Sequence, residues 1–302
     1  MTKEQESGMA LPMVLWTIAL LAGIVVLLVG VLDGWISEET RAGKKFQARQ
    51  QALSGIAVGK AVQPGDPILQ HSTGGGAEGY SVVIKDESGL INPNAWLGVT
   101  PNRRDLFQKL FTAWGLDMNQ CAAAADGLYD WQSPNPFRSL HGAKQPEYEA
   151  AHRSGLPPGE PFVSPEEMSF VIGFWPVTQA KPTWKSYFST LNNLPKINIL
   201  HAPKVILTDL LGLTPAQADA WITQRNGKDG IEGTDDDLKP SNIEQVEKIY
   251  LAANSAQKAI ISDTCDITGS IRRIESTGYC NGVKHLITVV VGSNSLLGWS
   301  EQ

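Results

Sequence analysis

The chain has 302 residues, 42 % of them hydrophobic and 19 % charged, with 25 Lys plus Arg against 31 Asp plus Glu and a net charge of -6. This balance excludes a disordered acidic tail. It also argues against nucleic acid as the main partner, because phosphate binding draws on clustered Lys and Arg, and three cysteines and five histidines are too few and too scattered for a zinc framework.

The first element is apolar. Met9 to Leu32 carries no charge, and as a helix it would span about 36 Å, enough for a hydrocarbon core of ~30 Å. A secretory signal peptide has a shorter apolar run and a small-residue cleavage site, whereas here the run ends in Leu32-Asp33-Gly34-Trp35. A plain signal anchor is one reading. The other rests on Met1 to Gly8 (MTKEQESG), a short polar leader ending in glycine before an abrupt apolar start at Met9. That pattern resembles a prepilin leader, whose family is cut by a dedicated peptidase after the glycine and methylated on the new amino group. Residues 1–8 are then leader, 9–32 a transmembrane helix, and Gly8 and Met9 the processing site. Charge gives little help with orientation, since Lys3 faces Glu4 and Glu6 while the far side holds both signs.

The helix continues as an amphipathic stem over 33–63, with Ile36, Phe46, Leu53 and Ile56 set among charged residues. Pro64-Gly65-Asp66-Pro67 ends it. Tyr80 to Lys85 reads as a strand, and residues 91–261 read as mostly helical. Ser270 to Tyr279 alternates as a strand, Asn281-Gly282 is a two-residue hairpin turn, Val283 to Val291 is a buried strand, and Leu296 to Glu301 is a further one. The expected fold is α+β: a long stem helix packed on a small antiparallel sheet built from 64–90 and 262–302, with the helical domain inserted between its strands.

The insert repeats itself. Leu90-Ile91-Asn92-Pro93-Asn94 parallels Lys196-Ile197-Asn198-Ile199-Leu200, and Leu106–Leu116 parallels Leu207–Leu213, with Gly115 and Gly212 each preceding an Ala-containing helix. The second copy resembles a helix-hairpin-helix unit. From Lys196 to Tyr250 acidic residues outnumber basic ones, so packing is the favoured use and DNA binding the other.

These features together resemble the K-type minor pseudopilin of the type II secretion system (general secretion pathway protein K). The opening SGMALPMVLWTIALL is similar to that family's. Most pilins carry Glu at the fifth mature position; with Met9 first, that place is Met13, and K-type proteins characteristically lack the Glu. Asp86–Asn94 (DESGLINPN), Gly127–Asn135 (GLYDWQSPN), Gly142–Tyr148 (GAKQPEY), Phe162–Gly173 (FVSPEEMSFVIG) and the closing Leu297-Gly298-Trp299-Ser300-Glu301 follow in the family's order, with Lys144 where the family usually has Glu or Asp. The resemblance implies a single-pass inner-membrane protein with a periplasmic domain and no enzyme activity. It would join I- and J-type minor pseudopilins at the tip of a filament of major pseudopilin, prime assembly, and help export folded proteins. The alternative is a membrane-anchored periplasmic binding module that uses the hairpin unit, as in DNA uptake.

One loop carries chemistry. Asp229, Glu232, Asp235, Asp236 and Asp237 fall within a Gly-rich turn, which reads either as a calcium site, since Ca²⁺ takes six to eight oxygens from such turns, or as a solvated acidic loop. The family's calcium sites favour the first. Cys265 and Cys280 flank a predicted strand and are read as a disulfide in an oxidising compartment; Cys121 reads as buried and free. Trp114, Trp131, Trp175, Trp184 and Trp221 read as core. Gly74-Gly75-Gly76 lacks the Gly-Lys-Ser/Thr of a phosphate loop, and no Ser/His/Asp or Cys/His arrangement stands out.

Overall fold

The computed structural model describes residues 10–99, 102–192, 194–251, 253–292 and 295–302. Helix α1 (Ala10–Ala61) is followed by β1 (Gln70–Thr73) and β2 (Glu78–Asp86). A helical domain then holds α2 (Pro93–Gly98), α3 (Arg104–Ala113), α4 (Met118–Gln132), α5 (Gln145–Ala150), α6 (Trp175–Ala180), β3 (Ile197–Asn198), α7 (Lys204–Asp209), α8 (Pro215–Arg225), α9 (Ile243–Gln245), α10 (Ser255–Thr264) and β4 (Cys265–Asp266). The chain closes with β5 (Arg272–Cys280), β6 (Val283–Val291) and β7 (Leu296–Glu301). The expected α+β architecture is what the structure shows: an antiparallel sheet in the order β1-β2-β5-β6-β7, a long helix on it, and a helical domain between β2 and β5.

Helix α1 packs across β2, β5 and β6 through small residues. Ala48, Ala52, Gly55, Ile56 and Gly59 recur on one helical face and are buried. A Cβ added at Gly278 would enter the backbone of Ala48 and Ala52, and one at Gly59 would lie 2.7 Å from Ile274. The helix therefore rests nearly on the sheet's backbone. Its apolar contacts form one small core with Leu69, Tyr80, Val82, Ile274, Ile287 and Val289. A second, larger core fills the helical domain around Trp96, Phe107, Phe111, Tyr148, Phe174 and Trp221. Two separate cores mark two folding units.

The contacts also set polarity. Ala48 lies at Gly278, Gly55 at Ser276 and Gly59 at Ile274. As α1 runs away from its apolar segment, β5 numbering falls, so the far end of the sheet is Asp86 paired with Arg272. The helical domain leaves and rejoins the sheet there. Val31 to Gly59 spans about 42 Å of helix, which places the domain at the end remote from the apolar segment.

Within the domain the repeat is structural. Hairpins α3–α4 and α7–α8 turn at Gly115 (φ +89°) and Gly212 (φ +70°), a left-handed backbone that favours glycine. Each continues Leu-x into a helix capped by Asp117 or Thr214, with Gln120 or Gln217 closing a capping box. Before each hairpin an Ile-Asn pair recurs: Ile91 bridges Phe188 and Ile197 pairs with Cys265, both parallel. Asn92 Oδ1 accepts from the Asn94 amide and Asn198 Oδ1 from the Leu200 amide.

The structure corrects several expectations. β1, exposed along its length, is a strand for which the sequence carries no apolar alternation. The main sheet resumes at Arg272 rather than 262, because 255–264 form α10 and Cys265-Asp266 pair with β3 inside the helical domain. Cys265 and Cys280 are both free thiols. β5 separates them, and its nine residues span about 30 Å, far beyond the reach of a disulfide. Trp175 is 69 % exposed rather than core, since short α6 buries Val177 instead. Trp114, Trp131, Trp184, Trp221 and Cys121 are buried.

Candidate functional site

The apolar segment comes first. Leu11–Val31 is long and apolar enough to cross a bilayer and none of it is covered by the rest of the chain. Leu, Val and Ile side chains stand exposed around it, Met13 among them. Such a surface is stable only in lipid or against other apolar helices. The processing residues Gly8 and Met9 lie outside the described residues.

The joint between sheet and helical domain is built from the DESG stretch. Asp86 accepts from the Ser88 and Ile271 amides and from Ser270 Oγ, tying the two crossing segments together. Buried Glu87 pairs with Arg273 and accepts from Ser189 Oγ at 2.5 Å. A Cβ on Gly89 would enter the His201 backbone, so the turn passes directly under the second repeat. His201 Nδ1 lies 2.7 Å from Glu232 and its Nε2 3.8 Å from Asp86. Burial alone would lower the His201 pKa, but the Glu232 hydrogen bond and the Asp86 and Glu232 charges outweigh it, so the net shift is upward.

The acidic loop is held by its own carboxylates. Asp229 accepts from the Ile231 amide, Asp236 from the Lys228 and Asp229 amides and Thr234 Oγ1, and Asp237 from the Gly233 amide. Asp235 accepts from Gln63, two residues past α1, while Glu232 turns to His201 and buried Arg225. Hydrogen bonds from Thr234 Oγ1 and the Lys228 amide keep the Asp236 pKa low. Among the described residues no three acidic, His or Cys side chains group to hold a metal. The five expected ligands are divided between three tasks in this structure.

The α7–α8 hairpin offers few free cations. Lys204 pairs with Asp219 at 2.6 Å, and Arg225 is buried, donating to the carbonyls of Ile199 and Ala202. Burial holds the Arg225 pKa below its ordinary value.

A third construction escaped the sequence reading. Asp126 and Asp130 on α4 are buried, as is Lys144. The Lys144 ammonium donates to the carbonyls of Asp130 and Ser133, both at 2.6 Å. Asp130 accepts from the amide and hydroxyl of Ser139, and Asp126 from the His141 amide and Arg104. Burial lowers the Lys144 pKa and raises that of Asp130. GLYDWQSPN and GAKQPEY, quoted as separate motifs, are thus two halves of one network. Asp130 in the first motif and Asp126 just before it, i, i+4 on α4, were the available signal.

Residues 86–182 match the family model of the type II secretion system (T2SS), protein K. The fold matches, with a TM-score of 0.63 and 14 % identity, one chain of the crystal structure of the GspK-GspI-GspJ complex from enterotoxigenic Escherichia coli, covering 90 % of this chain and 99 % of that one. No curated protein matches. The stem helix, antiparallel sheet and inserted helical domain therefore share the α+β fold of that chain. Residues 86–182 are similar to the type II secretion protein K family, in agreement with the K-type resemblance read from the sequence.

Proposed function

We propose that this chain is a minor pseudopilin at the tip of a type II secretion pseudopilus, anchored by Leu11–Val31 in the inner membrane with its folded domains in the periplasm. The observation that carries this reading is the polarity of the fold. The bulky helical domain grows from the end of the sheet remote from the apolar helix, where it blocks further stacking above but leaves the stem free below. Met13 supports it: a subunit with nothing above it has no neighbour whose amino terminus a Glu there could pair with, and an unpaired charge in lipid is costly. The partners are I- and J-type minor pseudopilins, matching the complex in which the similar structure was crystallised, with the major pseudopilin below. The role is priming the filament and helping folded proteins through the outer membrane; nothing in the site calls for enzyme chemistry.

Co-purification from a secreting host tests the assignment: the full-length protein brings down the I and J subunits. Long homopolymers that ignore both would overturn it. Cleavage between Gly8 and Met9 and methylation of Met9 by prepilin peptidase belong to the same reading; mass spectrometry of the mature amino terminus checks them, and an intact Met1 would remove them.

Calcium at the acidic loop is proposed on its crowding of carboxylates alone. Carboxylate oxygens that now accept amides have further lone pairs to turn to a cation. A melting temperature that rises with calcium and falls with chelator would support it; identical melting would remove it.

A further inference from the structure

Where the last turn of α1, the β6–β7 end of the sheet and the segment after Phe188 meet, the fold leaves a cavity of about 650 Å³, an ordinary volume for a small-molecule site. Leu191, Leu194, Ile271, Val291 and Leu297 line it, each half-buried. All but Val291 pack into neither of the two cores. Glycines bring the walls together: a Cβ on Gly298 would lie 2.9 Å from Leu191, and one on Gly269 2.9 Å from Leu194. The wall that carries the leucines is fixed from behind. The Leu191 amide donates to Ser189 Oγ, which itself donates to buried Glu87, and Asn192 Nδ2 donates to the carbonyls of Glu87 and Leu90. The cavity therefore exists before a ligand arrives, which removes much of the ordering cost from binding.

Its charge is one-sided. Lys60 and Arg272 line it, and among the described residues no carboxylate does. The Lys60 ammonium, exposed in the last turn of α1, has no ion-pair or hydrogen-bond partner among the described residues. Arg272 uses Nη1 alone, on the carbonyls of Gly59 and Val62 at 3.5 and 3.3 Å, which leaves Nε and Nη2 for an anion. Asp86, the register partner of Arg272, turns its carboxylate to Ser88, Ser270 and the Ile271 amide instead. Beyond the two cations the only polar side chains are Ser270, whose hydroxyl donates to Asp86, and exposed Ser295. A peptide in this space would leave amides unpaired, at a cost for each. An aliphatic chain asks for no such partners, and one anionic head suits the two cations. We propose that the cavity binds an aliphatic monocarboxylate of the fatty-acid type, its carboxylate between Lys60 and Arg272 and its chain along the leucines. The site lies about 42 Å of helix past Val31, so it takes such a ligand from solution and not from the bilayer. The inference does not depend on the tip reading.

The test uses the full-length protein in phosphatidylcholine nanodiscs and a decanoic acid that carries a diazirine in its chain. After irradiation, mass spectrometry should find adducts in peptides that contain Leu194 or Leu297. Excess decanoate should remove them, whereas decanol, with the same chain and no charge, should not. Lys60→Gln should raise the decanoate concentration needed for half-competition about fivefold, the effect of losing one solvent-accessible ion pair. Leu297→Trp, which fills the cavity, should abolish these adducts while the melting temperature stays as in wild type. Adducts confined to Leu11–Val31, equal competition by decanol, or an unchanged half-competition point in Lys60→Gln would each overturn the site. Displacement by a short peptide ending in leucine at lower concentrations than decanoate would overturn the fatty-acid reading in favour of a polypeptide terminus. Should Leu297→Trp fail to fold, the competition series and Lys60→Gln, at an exposed position, decide.

Discussion

Glu301 gathers the Arg49 guanidinium, at 2.7 and 2.9 Å, together with His285 Nε2 and the Trp299 indole around one carboxylate. The Arg49 and His285 hydrogen bonds hold its pKa down to about 2 from the ordinary 4.5. A depressed carboxylate contributes stability that is present above its unfolded pKa and is lost as pH falls through the folded one. Glu301→Gln should therefore melt below wild type at neutral pH, with the gap closing between about pH 4.5 and 2. His201 works in the opposite sense. Its raised pKa gives stability that is complete below the ordinary imidazole range and fades as pH rises through the folded value. His201→Gln should lag wild type most at pH 5–6 and converge with it in alkaline buffer. Melting curves of the detergent-solubilised protein across pH check both. Neither partner set was legible in the sequence: Arg49 and Glu301, or His201 and Asp86, meet only once the sheet and domain have closed.

At the scale of elements, the glycines decide how closely the stem approaches the sheet. Gly278→Ala should destabilise by about 1–3 kcal/mol, the range for overpacking, because its Cβ enters the backbone of α1 and neither element can move without unseating the other. Gly55, where an added Cβ lies 2.9 Å from Val82, should respond in the same direction. Gly43, with nothing within 4 Å, is the control: its replacement by Ala should gain helix propensity, ~1 kcal/mol or less. Chemical denaturation measures all three. Elements with their own periodicity were readable in advance. Asn281 and Gly282 adopt positive φ (46° and 85°) at the turn between β5 and β6, as the Asn-Gly pair dictates, and the β5–β6 alternation is present in the burial. β1 has no apolar alternation to read, since Gln70–Thr73 faces solvent throughout and owes its strand form to pairing with β2. β3 and β4, two residues each, exist only through each other. The Cys265–Cys280 pairing failed for a related reason: short separation in sequence says nothing of distance when an extended strand lies between. The acidic loop was legible as a cluster but not in how its carboxylates are shared among its own amides, the stem and His201.

At the scale of the molecule, the point of insertion has a consequence for how such a chain can be cut and built. Asp86 and Arg272 face each other as the last registered pair of β2 and β5, and the Glu87 amide donates to the Ile271 carbonyl at 2.7 Å just beyond. Topologically, the whole helical domain occupies the place of a hairpin turn. A chain in which residues 87–271 are replaced by Asn-Gly should therefore close β2 onto β5 as an ordinary hairpin. Because the two cores are separate, it should keep the stem-and-sheet core intact. Circular dichroism of the detergent-solubilised deletion should show retained sheet and a cooperative melt; an unfolded product would mean that the sheet depends on the domain it carries. If it folds, what remains is the stem and sheet, with Met13 still in place. On the proposed tip role, the deletion removes the bulk that would block stacking above the sheet, which makes the inserted domain a removable stop rather than part of the scaffold.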